Sequence, residues 1–438
     1  MVPAYRIGAN FAMDPPGAEV IKNATRRRKQ TCAALMLGWM NLSPASRDAT
    51  LDMLRGAAIL GVVFLNLELF GLSMVAADYP PARSWGGADA ALWVVGQSWF
   101  AGAMRGLLSL LFGAGAGMLL ARVSGQDGAA AADQYLRRNI GLMGLGLFQA
   151  HILLWPGDVL FIYGLAGVFL YPLRAVSPRG LFHLGAGVLG LMCLGLLVAQ
   201  LAETSAQAGA APLIEQEEAA RRGGYIANFQ FLSAVYERFN AWRGVAWSVL
   251  DALGFMLIGM GLQKAGGLHR ALGRRLLIGL ALLGFAVGGG LRALDCLSRI
   301  AIDFTGPGAL YALEPLLRLL VTGGHLAALL LAWSWRPGRR WLQPLRHPGR
   351  MALSVYVAQT VICGIAFGGF GFGLFGELNR AELLVFGLGL NAALTATCLL
   401  WLRAFQFGPL EWAWRSWSYG RRLPLRRGVG AGDALAAA

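Results

Sequence analysis

Runs of about twenty predominantly apolar residues, the length that carries a helix once through the hydrocarbon core of a bilayer, recur along this chain. They lie near 55–76, 104–121, 139–155, 158–173, 180–201, 245–263, 274–293, 308–333, 351–370 and 383–402. In hydrocarbon every backbone N–H and C=O must find its partner within the protein, so only helices and closed barrels cross. No run alternates apolar and polar residues over tilted strand lengths, which argues against a barrel. The expected fold is all-α, a polytopic transmembrane helical bundle of about ten spans.

The charges agree. Of 438 residues only 14% are charged and 56% are hydrophobic, where a soluble domain carries roughly 25% charged residues. The cations cluster in every second connection. Arg26 to Lys29 precede the first run; Arg122, Arg137 and Arg138 follow the second; Arg174 and Arg179 the fourth; Lys264, Arg270, Arg274 and Arg275 the sixth. Arg336, Arg339, Arg340, Arg346 and Arg350 follow the eighth, and a basic tail from Arg415 to Arg427 follows the tenth. The alternate connections carry Asp78 and Asp89, Asp158, Glu203 to Glu237, Asp295 and Asp303, then Glu377 and Glu382. The positive-inside rule then puts both termini in the cytoplasm, as an even number of spans requires. The net charge of +15 reads as topology signals and contacts to anionic membrane lipids, with no nucleic acid as partner.

On this basis residues 1–46 form a cytoplasmic N-terminal tail without fixed structure. Residues 47–201 hold spans one to five, 202–244 an extracytoplasmic amphipathic segment, 245–405 spans six to ten, and 406–438 a basic aromatic cytoplasmic tail. Residues 91–103 are apolar and precede the second span; they are expected to be interfacial or bent, with Gly102 and Gly106 permitting the bend. The five cysteines (Cys32, Cys193, Cys296, Cys363 and Cys398) show no pairing or metal spacing, and no metal site is expected. There is no nucleotide-binding glycine loop, HExxH or GxSxG motif, and no internal repeat.

Polar residues inside such a bundle are functional candidates, each with a plainer alternative. Asp52 and Arg55 share a helix face at the mouth of span one; the alternative is a helix-start acid with a snorkelling anchor. Asn66 and Glu68 lie deeper, and Asn66 could simply bond a neighbouring helix. Arg105 could hold a carboxylate or phosphate, or pair with Asp89 or Asp158. His151 and Asp158 flank the tight Pro156-Gly157 turn between spans three and four, where an Asp could orient a His as general base; Tyr163 follows. Glu314, Arg318 and His325 fall on one face of span eight, as an ion pair with a nearby His or as the lining of a path. Gln359 in span nine could face a cavity. Trp412, Trp414 and Trp417, interleaved with Arg415, read as an interfacial aromatic belt with cationic anchors.

The blocks LDMLRGAAILGVVFLN, LLSLLFGAG, HILLWPGDVLFIYGLAG, GRMALSVYVAQT and GPLEWAWRSWSYGRRLPL resemble the YeiB-like bacterial membrane proteins, over about residues 47–427. Those proteins are similar in turn to a wider superfamily of membrane acyltransferases, which includes the envelope-glycan O-acyltransferases. The shared feature is the Asp-x-x-Arg opening of span one, here Asp52 and Arg55. In the glycan enzymes a catalytic His stands fourteen residues after that Asp; here the position is Asn66, so the catalytic residue does not carry over. The resemblance implies an enzyme of the bacterial cytoplasmic (inner) membrane. It would move an acyl group from acyl-CoA, a co-substrate, to an envelope glycan or other extracytoplasmic acceptor. In that expectation His151, oriented by Asp158, is the base, Arg105 stabilises the acyl oxygen, and Asp52, Arg55 and Asn66 serve the coenzyme. Glu68, Tyr163, Glu314, Arg318, His325 and Gln359 line the substrate path. The rival expectation is a transporter or a small-molecule or lipid-binding membrane protein without covalent chemistry, using the charges of span eight.

Overall fold

The computed structural model describes residues 49–74, 85–123, 128–202, 210–239, 242–266 and 273–427. The N-terminal tail expected over 1–46 lies outside them. Each of the ten apolar runs falls on helix. In chain order these are α1 (Ala49–Gly71), α2 (Gly87–Val95), α3 (Ala103–Val123), α4 (Gly128–His151), α5 (Leu160–Leu170), α6 (Pro178–Ala202), α7 (Ala210–Arg222) and α8 (Tyr225–Phe239). Then come α9 (Trp242–Lys264), α10 (Arg274–Leu282), α11 (Gly290–Ala301), α12 (Glu314–Ser334), α13 (Arg336–Leu342), α14 (Arg346–Arg350), α15 (Ala352–Phe367), α16 (Arg380–Ala404) and α17 (Pro409–Tyr419). Short π-helical turns, Gly96–Phe100 and Leu283–Gly289, continue α2 and join α10 to α11.

Among the described residues seven helical segments are long and apolar enough to cross a membrane, or eight if the pair Arg336–Arg350 and Ala352–Phe367, bent by 82°, counts as one span. The remaining two runs are helical but different in kind. The first half of α4 carries Asp133, Arg137, Arg138 and Asn139. With 11 residues, α5 spans only about 16 Å at 1.5 Å per residue, half of a hydrocarbon core. The turn that joins them, residues 152–159, is not a surface loop: Trp155 in it is 1% exposed and stacks on Phe70 of α1 with ring centroids 4.2 Å apart. This hairpin is a plug inserted into the bundle.

Two ends of the bundle can be told apart by their contacts. At the basic end α1 crosses α14 so closely that a Cβ on Gly349 would lie 1.7 Å from the Asp52 carbonyl oxygen. There α17 docks too. Its indoles do not form a free belt: Trp414 and Trp417 donate to the carbonyls of Arg138 and Arg137, and Trp412 to that of Leu423. Buried Glu411 accepts the N–H groups of Leu353 and Ser354, so the tail helix caps α15. At the hairpin end the segment expected to be amphipathic is two helices, α7 and α8. Glu217 of α7 is fully buried, accepts from Ser73 and Met74 just past α1, and pairs with Arg221 at 3.4 Å. Tyr225 of α8 donates to the Ile152 carbonyl of the plug, 2.8 Å away. The helix α16 begins there with a reciprocal cap between Asn379 and Glu382.

Candidate functional site

The site grows from a break in the second apolar run. After the π-helical turn, Ala101 leaves the helical region and Gly102 adopts φ +70° before α3 restarts. A left-handed residue without a Cβ is what this position needs, because a Cβ there would also come within 2.5 Å of Arg318 Cδ. Gly102, rather than Gly106, provides the bend. A break at this depth frees backbone groups that lipid cannot satisfy. Arg292 of α11 fills that role by donating to the Ala101 carbonyl at 2.9 Å.

The break lets three guanidiniums meet two carboxylates. Asp251, in the middle of α9, takes both Nη atoms of Arg318 of α12 and, at 3.4 Å, Nη2 of Arg105 of α3. Glu314 contacts Arg318 Nε at 3.3 Å and Arg292 at 3.8 Å. Arg105 therefore pairs with Asp251, not with Asp89 or Asp158. Asp89 accepts the Arg380 N–H, and Asp158 is taken up in the plug. The Arg105 backbone is braced as well: the Tyr163 hydroxyl donates to its carbonyl at 3.0 Å, and Ser109 lies 2.7 Å from that hydroxyl. Tyr163 is thus a support behind Arg105.

In front of Arg105 is a cavity of about 110 Å³, bounded by α1 (Gly61 to Leu69), the break, and the plug (Trp155, Gly157, Val159), with Asn66, Arg105 and Tyr356 as its polar lining. The Tyr356 hydroxyl accepts the Trp155 indole N–H at 3.2 Å and the Val159 N–H at 3.3 Å. Its own O–H meets no acceptor among the described residues. Neither does the amide of Asn66, and Arg105, 44% exposed, spends one N–H on a long bond to Asp251. The cavity is therefore rich in donors and poor in acceptors, which suits an oxyanion, a carboxylate or a phosphate. Among the described residues no three His, Cys, Asp or Glu side chains gather as a metal site.

Residues 261–421 match a family described as protein of unknown function (DUF418). Over 388 residues, 84% of this chain and 95% of the relative, the sequence is 29% identical to the "Uncharacterized protein YeiB" of Escherichia coli (strain K12). It is 25% identical over 402 residues, 87% of the chain and 96% of the relative, to the "Uncharacterized protein YxaH" of Bacillus subtilis (strain 168). The chain is similar to YeiB over most of its length. Its DUF418 stretch supplies Arg292, Glu314, Arg318 and Tyr356, while Asn66, Arg105 and Asp251 precede it.

Elsewhere in the bundle the other sequence candidates are dispersed. Asp52 is buried at the basic end with Arg55 at 3.6 Å, about 21 Å from Asn66 along α1 at 1.5 Å per residue. His151 and Asp158 do not form a dyad. Asp158 accepts from Gln149 Nε2 at 2.7 Å and from the Phe161 N–H at 2.9 Å. The cause is local: an Asp just before α5 turns its oxygens to that helix's open N–H groups and to Gln149 rather than to His151. His151 donates from Nδ1 to the Leu147 carbonyl one turn back and is not part of the cavity wall. Glu68 faces Arg380 at 3.8 Å. Glu314 and Arg318 do pair, but His325 lies apart from them, between the rings of Phe100 and Phe285. Buried Gln359 donates to the Ile59 carbonyl and holds α15 on α1. Sequence reasoning missed Asp251, Arg292 and Tyr356. The first two carried a usable signal, since each is an ionisable residue within an apolar run.

Proposed function

We propose that this protein is an acyltransferase of the bacterial cytoplasmic membrane, moving an acyl group from acyl-CoA to a hydroxyl or amine of an extracytoplasmic envelope acceptor. The observation that carries the reading is the convergence of the Tyr356 O–H, the Asn66 amide and Arg105 on one small cavity. Acyl transfer needs such donors. As the acceptor attacks the thioester carbonyl, negative charge grows on the acyl oxygen, and preorganised donors in a water-poor site stabilise it. The new bond joins the acceptor atom to the acyl carbon, the C–S bond breaks, and the leaving thiolate takes the acceptor's proton. Arg55 and the cations of the basic end hold the coenzyme's phosphates, and its pantetheine arm runs along α1 towards Asn66. The proton transfer assigned to His151 from sequence loses its support, because the plug turns Asp158 away from it.

The test has two parts. Calorimetry on the detergent-purified protein should detect acetyl-CoA at micromolar concentration, with binding lost in Arg55→Ala. Transfer of labelled acetyl to envelope extract should fall about a hundredfold in Asn66→Ala with an unchanged melting temperature, because the Asn66 amide meets no protein partner among the described residues. A folded protein that neither binds acetyl-CoA nor transfers label would overturn the reading. One observation favours a second reading, a solute-binding or transport role: a broken helix lining a cavity is also how secondary transporters build their sites. Uptake or binding of a solute without turnover of label would support it.

A further inference from the structure

The charges behind the cavity say more about what enters it. Within contacts of 4 Å, three guanidiniums (Arg105, Arg318 and Arg292) share two carboxylates, Asp251 and Glu314. Asp295 also acts on Arg292, but it faces a fourth guanidinium, Arg299, so counting that pair leaves the surplus of one positive charge unchanged. Arg318 takes the greater part of Asp251, through two bonds against the single 3.4 Å contact of Arg105. The surplus positive charge therefore falls on Arg105, the one guanidinium of the three that is not buried and the one that lines the cavity. A partly neutralised guanidinium open at the cavity mouth lacks a standing counter-charge, which a transient oxyanion does not supply in the resting state. A ligand carrying its own negative charge does.

We propose that Arg105 is the specificity residue of the cavity and selects ligands that present a carboxylate or phosphate group. The proposal rests on the acyl-transfer reading only in calling that ligand the acceptor. Arg105 grips its anionic group at the mouth, and Tyr356 and Asn66 remain for the acyl oxygen. Asp251 and Arg318 are positioning residues: the carboxylate fixes where the Arg105 guanidinium points, and Arg318, seated in the space left by Gly102, prevents Asp251 from neutralising it. The cavity of about 110 Å³ admits one compact group, so the rest of the ligand lies outside.

The test is ligand-induced thermal stabilisation and calorimetry on the full-length protein in neutral detergent. Four probes are compared: sn-glycerol 3-phosphate and glycerol in solution, phosphatidylglycerol and diacylglycerol in mixed micelles. The expected result is stabilisation by an anionic probe and not by its neutral counterpart. Binding should be about a hundredfold weaker in Arg105→Gln, partly retained in Arg105→Lys, and unchanged in Arg222→Gln, a surface arginine at the same end. A response to the soluble phosphate assigns a soluble acceptor; a response to the lipid alone assigns a lipid-borne one. Equal response to charged and neutral probes by the wild-type protein overturns the proposal even if no variant folds. So does an Arg105→Gln protein that responds as the wild type does. If the anion shifts persist while acetyl-CoA is not bound, the acyl-transfer reading fails and the anion site stands. If label reaches neutral and anionic acceptors alike, the reverse holds.

Discussion

Asp251 decides how the charged residues behave. Its carboxylate is held between Arg318 and Arg105, contributed by helices far apart in sequence. Removing one partner of a buried ion cluster leaves uncompensated charge, typically at a cost of about 3–5 kcal/mol. Asp251→Asn would leave Arg318 with Glu314 alone and Arg105 without its carboxylate, and because Arg105 is not buried we expect a loss at the lower part of that range, read as a fall in denaturation midpoint in detergent. An unchanged midpoint would mean that the cluster does not hold together as described. Gly102→Ala is expected to cost about 1–2 kcal/mol for the left-handed backbone alone, and more because Arg318 must move. Sequence gave part of this. An Arg at 105 and an Arg four residues after Glu314 were visible as intramembrane charges, and Gly102 as a possible bend. That Asp251 joins them was not legible, because the pairing depends on helix rotation and crossing, which a single sequence does not encode locally. The plug failed for a different reason: Pro156-Gly157 announced a turn, but not that the turn would fold inward and spend Asp158 on a helix start.

At the scale of elements, the tail helix α17 differs most from its sequence reading. Alternating Trp and Arg residues suit a membrane interface, and the same pattern equally suits docking on a helix whose carbonyls are within reach. Buried Glu411 tips the balance, because it closes the N-terminus of α15. Burial pushes its carboxyl above the ordinary carboxylate range, outweighing the hydrogen bonds from Ser354 and Leu353 that favour the ion. An acid whose folded pKa is raised holds its proton more tightly in the folded state than in the unfolded one. Its contribution is therefore most favourable below the unfolded pKa and declines as pH rises through the folded one. The melting temperature of the wild type minus that of Glu411→Gln should become less favourable to the wild type as pH climbs out of the carboxylate range, then level off. A difference independent of pH would show that Glu411 is not buried in the protein in solution. Glu411→Ala should lower stability by roughly 1 kcal/mol, the usual cost of a lost helix cap, where the carboxyl is protonated, and by less as pH rises.

For the whole molecule, the two ends of the bundle carry separate tasks, and sidedness decides whether they can cooperate. Acyl transfer across a membrane requires the basic end, with Arg55, to face the coenzyme's compartment, and the mouth beside Arg105 to be reached from the other side. The distribution of Arg and Lys predicts that arrangement. Two exposed side chains can report it: Trp341 of α13, 84% exposed, lies at the basic end, and Phe372, 78% exposed, lies between α15 and α16 at the hairpin end. The four described cysteines are buried, and Cys32 is replaced by Ser as background. In intact cells a membrane-impermeant thiol reagent should label Phe372→Cys and spare Trp341→Cys until the membrane is opened. Labelling of Trp341→Cys alone would invert the bundle, putting the anion-selective cavity on the coenzyme's side. In that case an extracytoplasmic acceptor could not reach Arg105, and a carrier or sensor of cytoplasmic anions would account for the same charges. Labelling of both positions in sealed cells would mean that the ends are not separated by the bilayer, and the reading of the apolar helices as crossings would fail with it.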